Sequence, residues 1–164
     1  VGHRIVIMGV AGCGKSTVGA AVARAEHLPL VEGDDFHSAA SRAKMAGGVP
    51  LTDGDRADWL RVLGEQLAAH GEGVVLTCSA LKRAYREQLR AAAPGLRFVF
   101  LEIGREDAQK RVSTRGAHFF SAALVDSQFA TLESPVGEPL VLAVDALAPL
   151  AELQQQVSAW LHAA

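Results

Sequence analysis

The residues best suited to chemistry stand in Gly9-Val-Ala-Gly-Cys-Gly-Lys-Ser16. The stretch fits G-x-x-x-x-G-K-[ST] at every fixed position, the pattern of a loop that cradles phosphates. Glycines at 9, 12 and 14 let the backbone turn sharply and bring successive N–H groups to one anion. Lys15 can reach the terminal phosphates of a nucleoside triphosphate, and the Ser16 hydroxyl can ligate Mg²⁺. Cys13 and Thr17 complete the nucleotide contacts expected here, Cys13 as a small side chain at a free position rather than a redox group. The apolar run Ile5 to Met8 leads into the loop, and Val18, Ala21, Val22 and Ala25 follow at helical spacing. A helix starting near Lys15 adds the positive end of its dipole and unpaired amides. The spacing predicts a strand, loop and helix that bind a nucleoside triphosphate.

Carboxylates are the next requirement. The apolar run Leu28 to Val31 reads as a short strand that ends in Glu32-Gly-Asp-Asp-Phe-His37. In open α/β sheets, ligands sit at the carboxyl ends of strands. A carboxylate here can accept a proton from a hydroxyl or hold a water on Mg²⁺. Asp34 or Asp35 is equally suited by type to cap the next helix. A second candidate for the metal is Asp145, after Val-Leu-Ala-Val, an apolar run ending in Asp. Local pattern favours Asp145, whereas position along the chain favours Glu32 or Asp34.

The other elements must hold these groups in place. Residues 38 to 56 are small and polar and read as an inserted substrate-side segment. Helical spacing resumes at Arg56 through Trp59, Leu60, Leu63 and Leu67. Val74–Cys78, Leu96–Leu101 and Leu140–Val144 read as strands, and helices are expected over 82–90, 105–115, up to about 132, and from 150 to the end. Strands alternating with helices imply a parallel sheet covered on both faces, and the apolar strands agree. The 164 residues suit one domain. No repeat or low-complexity tract interrupts them.

A net charge of −2 provides no global basic field for nucleic acid. The longest apolar runs are too short to span a bilayer. Two cysteines without metal-ligand spacing suit a reducing cytoplasm. Charge is uneven: from Lys82 to Arg115 there are nine cationic side chains against four acidic ones. A solvated helix face accounts for some, and the others can meet a polyphosphate or an anionic substrate.

Beyond the phosphate loop, four blocks carry a resemblance. They are Gly33-Asp34, His37, Lys44-Met45, Pro50-Leu51 and Asp53-x-Asp55-Arg56-x-x-Trp59-Leu60; then Cys78-Ser-Ala-Leu-Lys82 with Tyr85-Arg86 and Leu89-Arg90; then Arg111 and Arg115 before His118-Phe119; and Gln128-Phe129, Leu132-Glu133 and Pro135. In these the chain resembles the bacterial-type gluconokinases, small phosphate-loop kinases of D-gluconate. It departs from the family's usual residues at Glu32, Ser38, Ser41, Thr52 and Asp58.

The resemblance implies a three-layer fold like that of the nucleoside monophosphate kinases. A five-stranded parallel sheet, a substrate-side segment over about 37–70 and a lid over about 111–125 are its expected parts. It implies phosphorylation of the 6-hydroxyl, with Lys15, Mg²⁺ on Ser16 and a lid arginine neutralising the γ-phosphate. Arg115 beside Gly116 is the first choice for that arginine and Arg111 the second. Asp34 takes the hydroxyl proton, and Glu32 serves the metal through water. His37, Arg56 and Lys82 or Arg86 contact gluconate, whose carboxylate calls for a cation. Adenine is expected near Ala146 to Pro149, and a cytoplasmic homodimer follows from the same resemblance. A shikimate kinase, a nucleotide kinase and a non-catalytic gluconate sensor are the competing readings.

Overall fold

In the computed structural model the residues described are 2–114 and 122–163. Five parallel strands form one sheet: β1 (Arg4–Met8), β2 (Leu30–Glu32), β3 (Val74–Thr77), β4 (Arg97–Glu102) and β5 (Val141–Asp145). Their spatial order is β2-β3-β1-β4-β5. The strand carrying the phosphate loop is thus central, flanked by β3 and β4.

Strand alternation builds the two cores. Ile5 and Ile7 of β1, Val75 of β3, and Val99 and Leu101 of β4 face one side, where Val18 and Val22 of α1 (Lys15–Glu26) and Leu153 and Val157 of α7 (Leu150–Leu161) meet them. Val6, Met8, Val74, Leu76, Phe98 and Phe100 face the other side, under Trp59, Leu60, Leu63 and Leu67 of α3 (Asp53–Ala69) and Leu89 of α4 (Arg83–Ala92). Successive side chains of a strand point to opposite faces, so strands covered on both sides must be apolar throughout. Each such buried side chain contributes about 1.5–3 kcal/mol of transfer free energy. The sheet is therefore the rigid platform, and its carboxyl edge carries the loops.

The stretch from 38 to 56 is more regular than its composition suggests. It contains a helix, α2 (Ala39–Ala46), whose first turn is capped by Ser38: its Oγ accepts from the Ser41 amide at 3.1 Å. Neither Asp34 nor Asp35 caps that helix; both lie in a 3-10 turn, Gly33–Phe36. Helix α3 begins at Asp53, three residues before the start expected from apolar spacing. The cause is a reciprocal cap: Asp55 N–H donates to Thr52 Oγ1 at 3.1 Å, and Thr52 N–H donates to Asp55 Oδ2 at 3.0 Å. Lys44 Nζ adds a bond to the same Asp55 oxygen at 2.7 Å, tying α2 to α3.

Helices α5 (Arg105–Thr114) and α6 (Ala122–Thr131) complete the described part. The middle of the expected lid, 115–121, with Arg115 and His118-Phe119, lies outside the described residues.

Candidate active site

The phosphate loop joins β1 to α1 with φ of 150° at Gly9, 85° at Gly12 and 96° at Gly14. These values favour glycine, because a Cβ meets the neighbouring carbonyls in that region. Gly14 occupies the N-cap of α1 without a side-chain cap, leaving the first-turn amides of Lys15, Ser16 and Thr17 directed at the loop. Lys15 Nζ donates to the carbonyls of Gly9 and Val10 at 3.0 and 3.2 Å, so the ammonium lies over its own loop. Two bonds anchor the loop to neighbouring elements. Gly9 N–H donates to Ser79 O at 3.3 Å, and Ala11 N–H donates to Gln128 Oε1 at 2.7 Å.

Beside the loop lies a cleft lined by Lys15, Asp34, His37, Arg56, Trp59 and Gln128, with Ser79 and Ser127 and the apolar Met45, Pro50, Leu51 and Leu124. Each polar group has a structural reason to be there. Asp34 is carried by the 3-10 turn at the end of β2, where Gly33 is required by close approach: a Cβ on it would sit 2.1 Å from Thr77 O. The Asp34 side chain is 47% exposed. Burial pushes its carboxyl upward, but the His37 hydrogen bond and the charges of Lys15, His37 and Arg42 outweigh it and hold the group below its ordinary value. It is a carboxylate at neutral pH.

The His37 side chain is only 4% exposed, with Nε2 3.5 Å from Asp34 Oδ1. Its ring stacks on Trp59, centroids 4.1 Å apart and planes 20° apart. Trp59 Nε1 donates to Gly33 O at 2.8 Å, which locks the indole against the turn that bears Asp34. His37 Nδ1 is buried and has no partner among the described residues. Arg56 is buried too, its guanidinium 5.7 Å from the centre of the Tyr85 ring. Lys15, Asp34, His37 and Arg56, all singled out from the sequence, thus share one cleft.

Other sequence candidates lie elsewhere. Arg86 does not face the cleft. It is fully buried, with Nε and Nη2 on the Glu138 carboxylate at 2.9 and 2.7 Å, Nη1 on Ala80 O at 2.7 Å and Nη2 on Glu133 O at 2.9 Å. Four of its five N–H donors are spent on protein acceptors and the side chain is fully buried, so the expected substrate role of Arg86 is corrected to a structural one. Lys82 lies outside the cleft lining; its Nζ pairs with Asp53 Oδ1 at 3.1 Å, and Tyr85 Oη donates to the same oxygen.

Glu32 ends β2, and its Oε1 accepts from Thr77 Oγ1 at 2.7 Å. Asp145 ends the outer strand β5, separated from the loop strand by β4, and its Oδ1 accepts from Leu147 N–H at 2.9 Å. Arg111 donates to the carbonyls of Gly12, Cys13 and Ala146 at 3.2, 3.3 and 3.2 Å. It thereby joins the loop to the turn after β5, where Cys13, Gly14, Thr17, Ala146 and Ala148 line a separate groove.

Trp59 and Gln128 belong to the resemblance blocks, but the sequence assigns neither a role in the cleft. Trp59 reads as core from its spacing, and its buried N–H is invisible in an apolar pattern. Gln128 had a detectable signal: it is four residues after Leu124 and three after Val125, both buried. A polar residue on the apolar face of a helix requires a partner.

The chain is similar to known proteins over most of its length. A family model described as AAA domain matches residues 5–136. The gluconokinase of Gluconobacter oxydans is 45% identical over 144 residues, spanning 85% of this chain and 80% of that protein. The chain belongs to the gluconokinase family. The thermoresistant gluconokinase of Escherichia coli is 39% identical over 152 residues, covering 90% of this chain and 87% of its own. A crystal structure of a gluconokinase from Sinorhizobium meliloti matches with a TM-score of 0.90 and 48% identity, over 97% of this chain and 91% of that one. Membership of the gluconokinase family makes the protein a phosphate-loop kinase and favours neither a shikimate kinase nor a non-catalytic sensor.

Proposed function

We propose that the protein transfers the γ-phosphoryl group of ATP to the 6-hydroxyl of D-gluconate, giving 6-phospho-D-gluconate and ADP. The observation that carries this reading is the single cleft joining Lys15 of the phosphate loop to Asp34, His37 and Arg56. A phosphoryl donor and a polyhydroxy acid meeting there are held by groups of matching chemistry.

The phosphates lie along the loop, received by the first-turn amides of α1 and by Lys15, which leaves its own carbonyls to reach them. Adenine takes the groove at Cys13, Thr17, Ala146 and Ala148. Asp34 accepts a hydrogen bond from the 6-hydroxyl and takes its proton late in transfer; a strong base is not needed, because the transition state is loose. Arg56 and the orphaned Nδ1 of His37 contact gluconate, and Lys82 stands near enough to Arg56 through Tyr85 to add positive potential. Arg115 supplies the further positive charge that the γ-phosphate demands, with Arg111 holding the loop and the adenine groove together.

The donor set fits Mg²⁺. The described residues contain no cluster of three His, Cys, Asp or Glu and so offer no all-protein cage. A hydroxyl from Ser16 together with phosphate oxygens and water is the arrangement this ion accepts, with Glu32 as an outer carboxylate. Held by Ser16, with Glu32 acting through water, Mg²⁺ would supply positive charge that neutralises the phosphate oxygens.

No described helix is long and apolar enough to cross a membrane. A cytoplasmic homodimer without nucleic-acid or membrane partners completes the proposal, on the family resemblance. The test is phosphorus and carbon NMR of the product made from ATP and D-gluconate. A phosphate on C6 supports the reading; a phosphate on another carbon refutes the placement of Asp34 at the 6-hydroxyl.

A further inference from the structure

Gln128 connects two parts of the machinery that the roles above leave separate. Its Oε1 accepts from the Ala11 amide at 2.7 Å across 117 positions of sequence, and both residues are buried. Because that backbone group is a donor, the carboxamide end facing it must be the oxygen. The remaining Nε2 end carries two N–H donors and no acceptor. The residue also lines the substrate cleft, on the helix that supplies Leu124 and Ser127 to the same wall.

We propose that Gln128 is a positioning and specificity residue of the transfer: Oε1 holds the phosphate loop at Ala11 while Nε2 donates to the sugar acid. This rests on the reading of the cleft as the gluconate site. The group has the chemistry for the task. Hydroxyls and a carboxylate present acceptors, and an amide N–H that a bound ligand covers without pairing disfavours a ligand that lacks them. One side chain then registers the acceptor against the loop that holds the donor, and the distance between the reacting atoms depends on that register.

Two substitutions separate the halves. Gln128→Glu keeps an acceptor oxygen for Ala11 N–H and replaces the donor end with an anion. The KM for gluconate is expected to rise at least about tenfold, the loss of a hydrogen bond to a polar ligand, while the KM for ATP stays near that of the unchanged enzyme. Gln128→Met keeps the length and removes both ends, and is expected to weaken ATP binding as well and to lower kcat. A Gln128→Glu enzyme with an unchanged gluconate KM overturns the donor role. A Gln128→Met enzyme with unchanged ATP affinity overturns the loop-holding role. If Gln128→Met fails to fold, hydrogen exchange of the Ala11 amide in Gln128→Glu decides the second point: slow exchange supports the bond and fast exchange refutes it. The unchanged enzyme is the control. If it shows no gluconate-dependent ADP release, the reading of the cleft fails together with the donor role, while the loop-holding role is still decided by ATP affinity.

Discussion

The Trp59 indole stacks on the His37 imidazole and donates its N–H to Gly33 O, so one ring holds both the histidine and the backbone that carries Asp34. Core and site are the same side chain here. Trp59→Phe keeps a ring for the stack and loses the bond, which leaves Gly33 O without that donor. The expected cost in urea unfolding is about 1 kcal/mol, accompanied by a raised gluconate KM. A variant with unchanged stability and unchanged KM would remove Trp59 from the support of the site.

Lys15→Ala and Asp34→Asn are both expected to abolish phosphorylation, by different routes. Lys15→Ala removes a cation from the phosphates and weakens ATP binding. Asp34→Asn keeps the shape of the turn and spares ATP binding, measured by calorimetry, because the carboxylate serves the acceptor hydroxyl. Retained turnover in Asp34→Asn would exclude that residue from the mechanism.

Arg86 was expected at the substrate, and its burial yields the opposite prediction. Arg86→Ala removes the hydrogen bonds that chiefly hold Glu138 below its ordinary pKa and leaves that buried carboxylate only Arg90 Nη1, at 3.1 Å, as an ion partner. Breaking a buried pair costs about 3–5 kcal/mol, readable by chemical denaturation. Arg86→Met in a Glu138→Gln background should recover most of that loss. A gluconate KM that rises in this double variant while stability holds would return Arg86 to the substrate.

Asp55 gives a pH signature. The Lys44 hydrogen bond, with the Thr52 amide, lowers its pKa from 3.8 to about 2. The folded state therefore prefers the carboxylate. Its contribution to stability is complete above the unfolded value and disappears as pH falls from 3.8 towards about 2. The difference in melting temperature between the unchanged protein and Asp55→Asn should shrink across that interval. A difference that grows as the pH drops contradicts the capping arrangement.

Burial, with the nearby Asp34 charge adding to it, pushes the Cys78 thiol up to about 12. Cys78 should resist alkylating reagents in the folded protein and react once it is unfolded. Rapid modification at neutral pH would contradict its place in the core.

The parts of this molecule legible in the sequence are those governed by short-range rules. The phosphate loop follows from backbone freedom at Gly9, Gly12 and Gly14, and the strands follow from apolar runs that must be covered on both faces. Helix α2 was obscured because Ala39-Ala-Ser-Arg has no apolar stripe, although Ser38 supplies a cap. The early start of α3 is encoded in the capping pair Thr52-x-x-Asp55, which apolar spacing does not report. Arg86 and Arg56 are alike in sequence, each a cation beside family-like residues. What separates them is Glu138, 52 positions away from Arg86, and no local pattern reports a partner at that distance. Gln128 is a similar case, since its partner is the backbone of the loop itself.

The most direct test of the central claim is ADP release from MgATP, run separately with D-gluconate, shikimate, AMP and no acceptor. Release that depends on gluconate alone is the predicted result. Release driven by shikimate or AMP instead, or no release with any acceptor despite ATP binding, would contradict it.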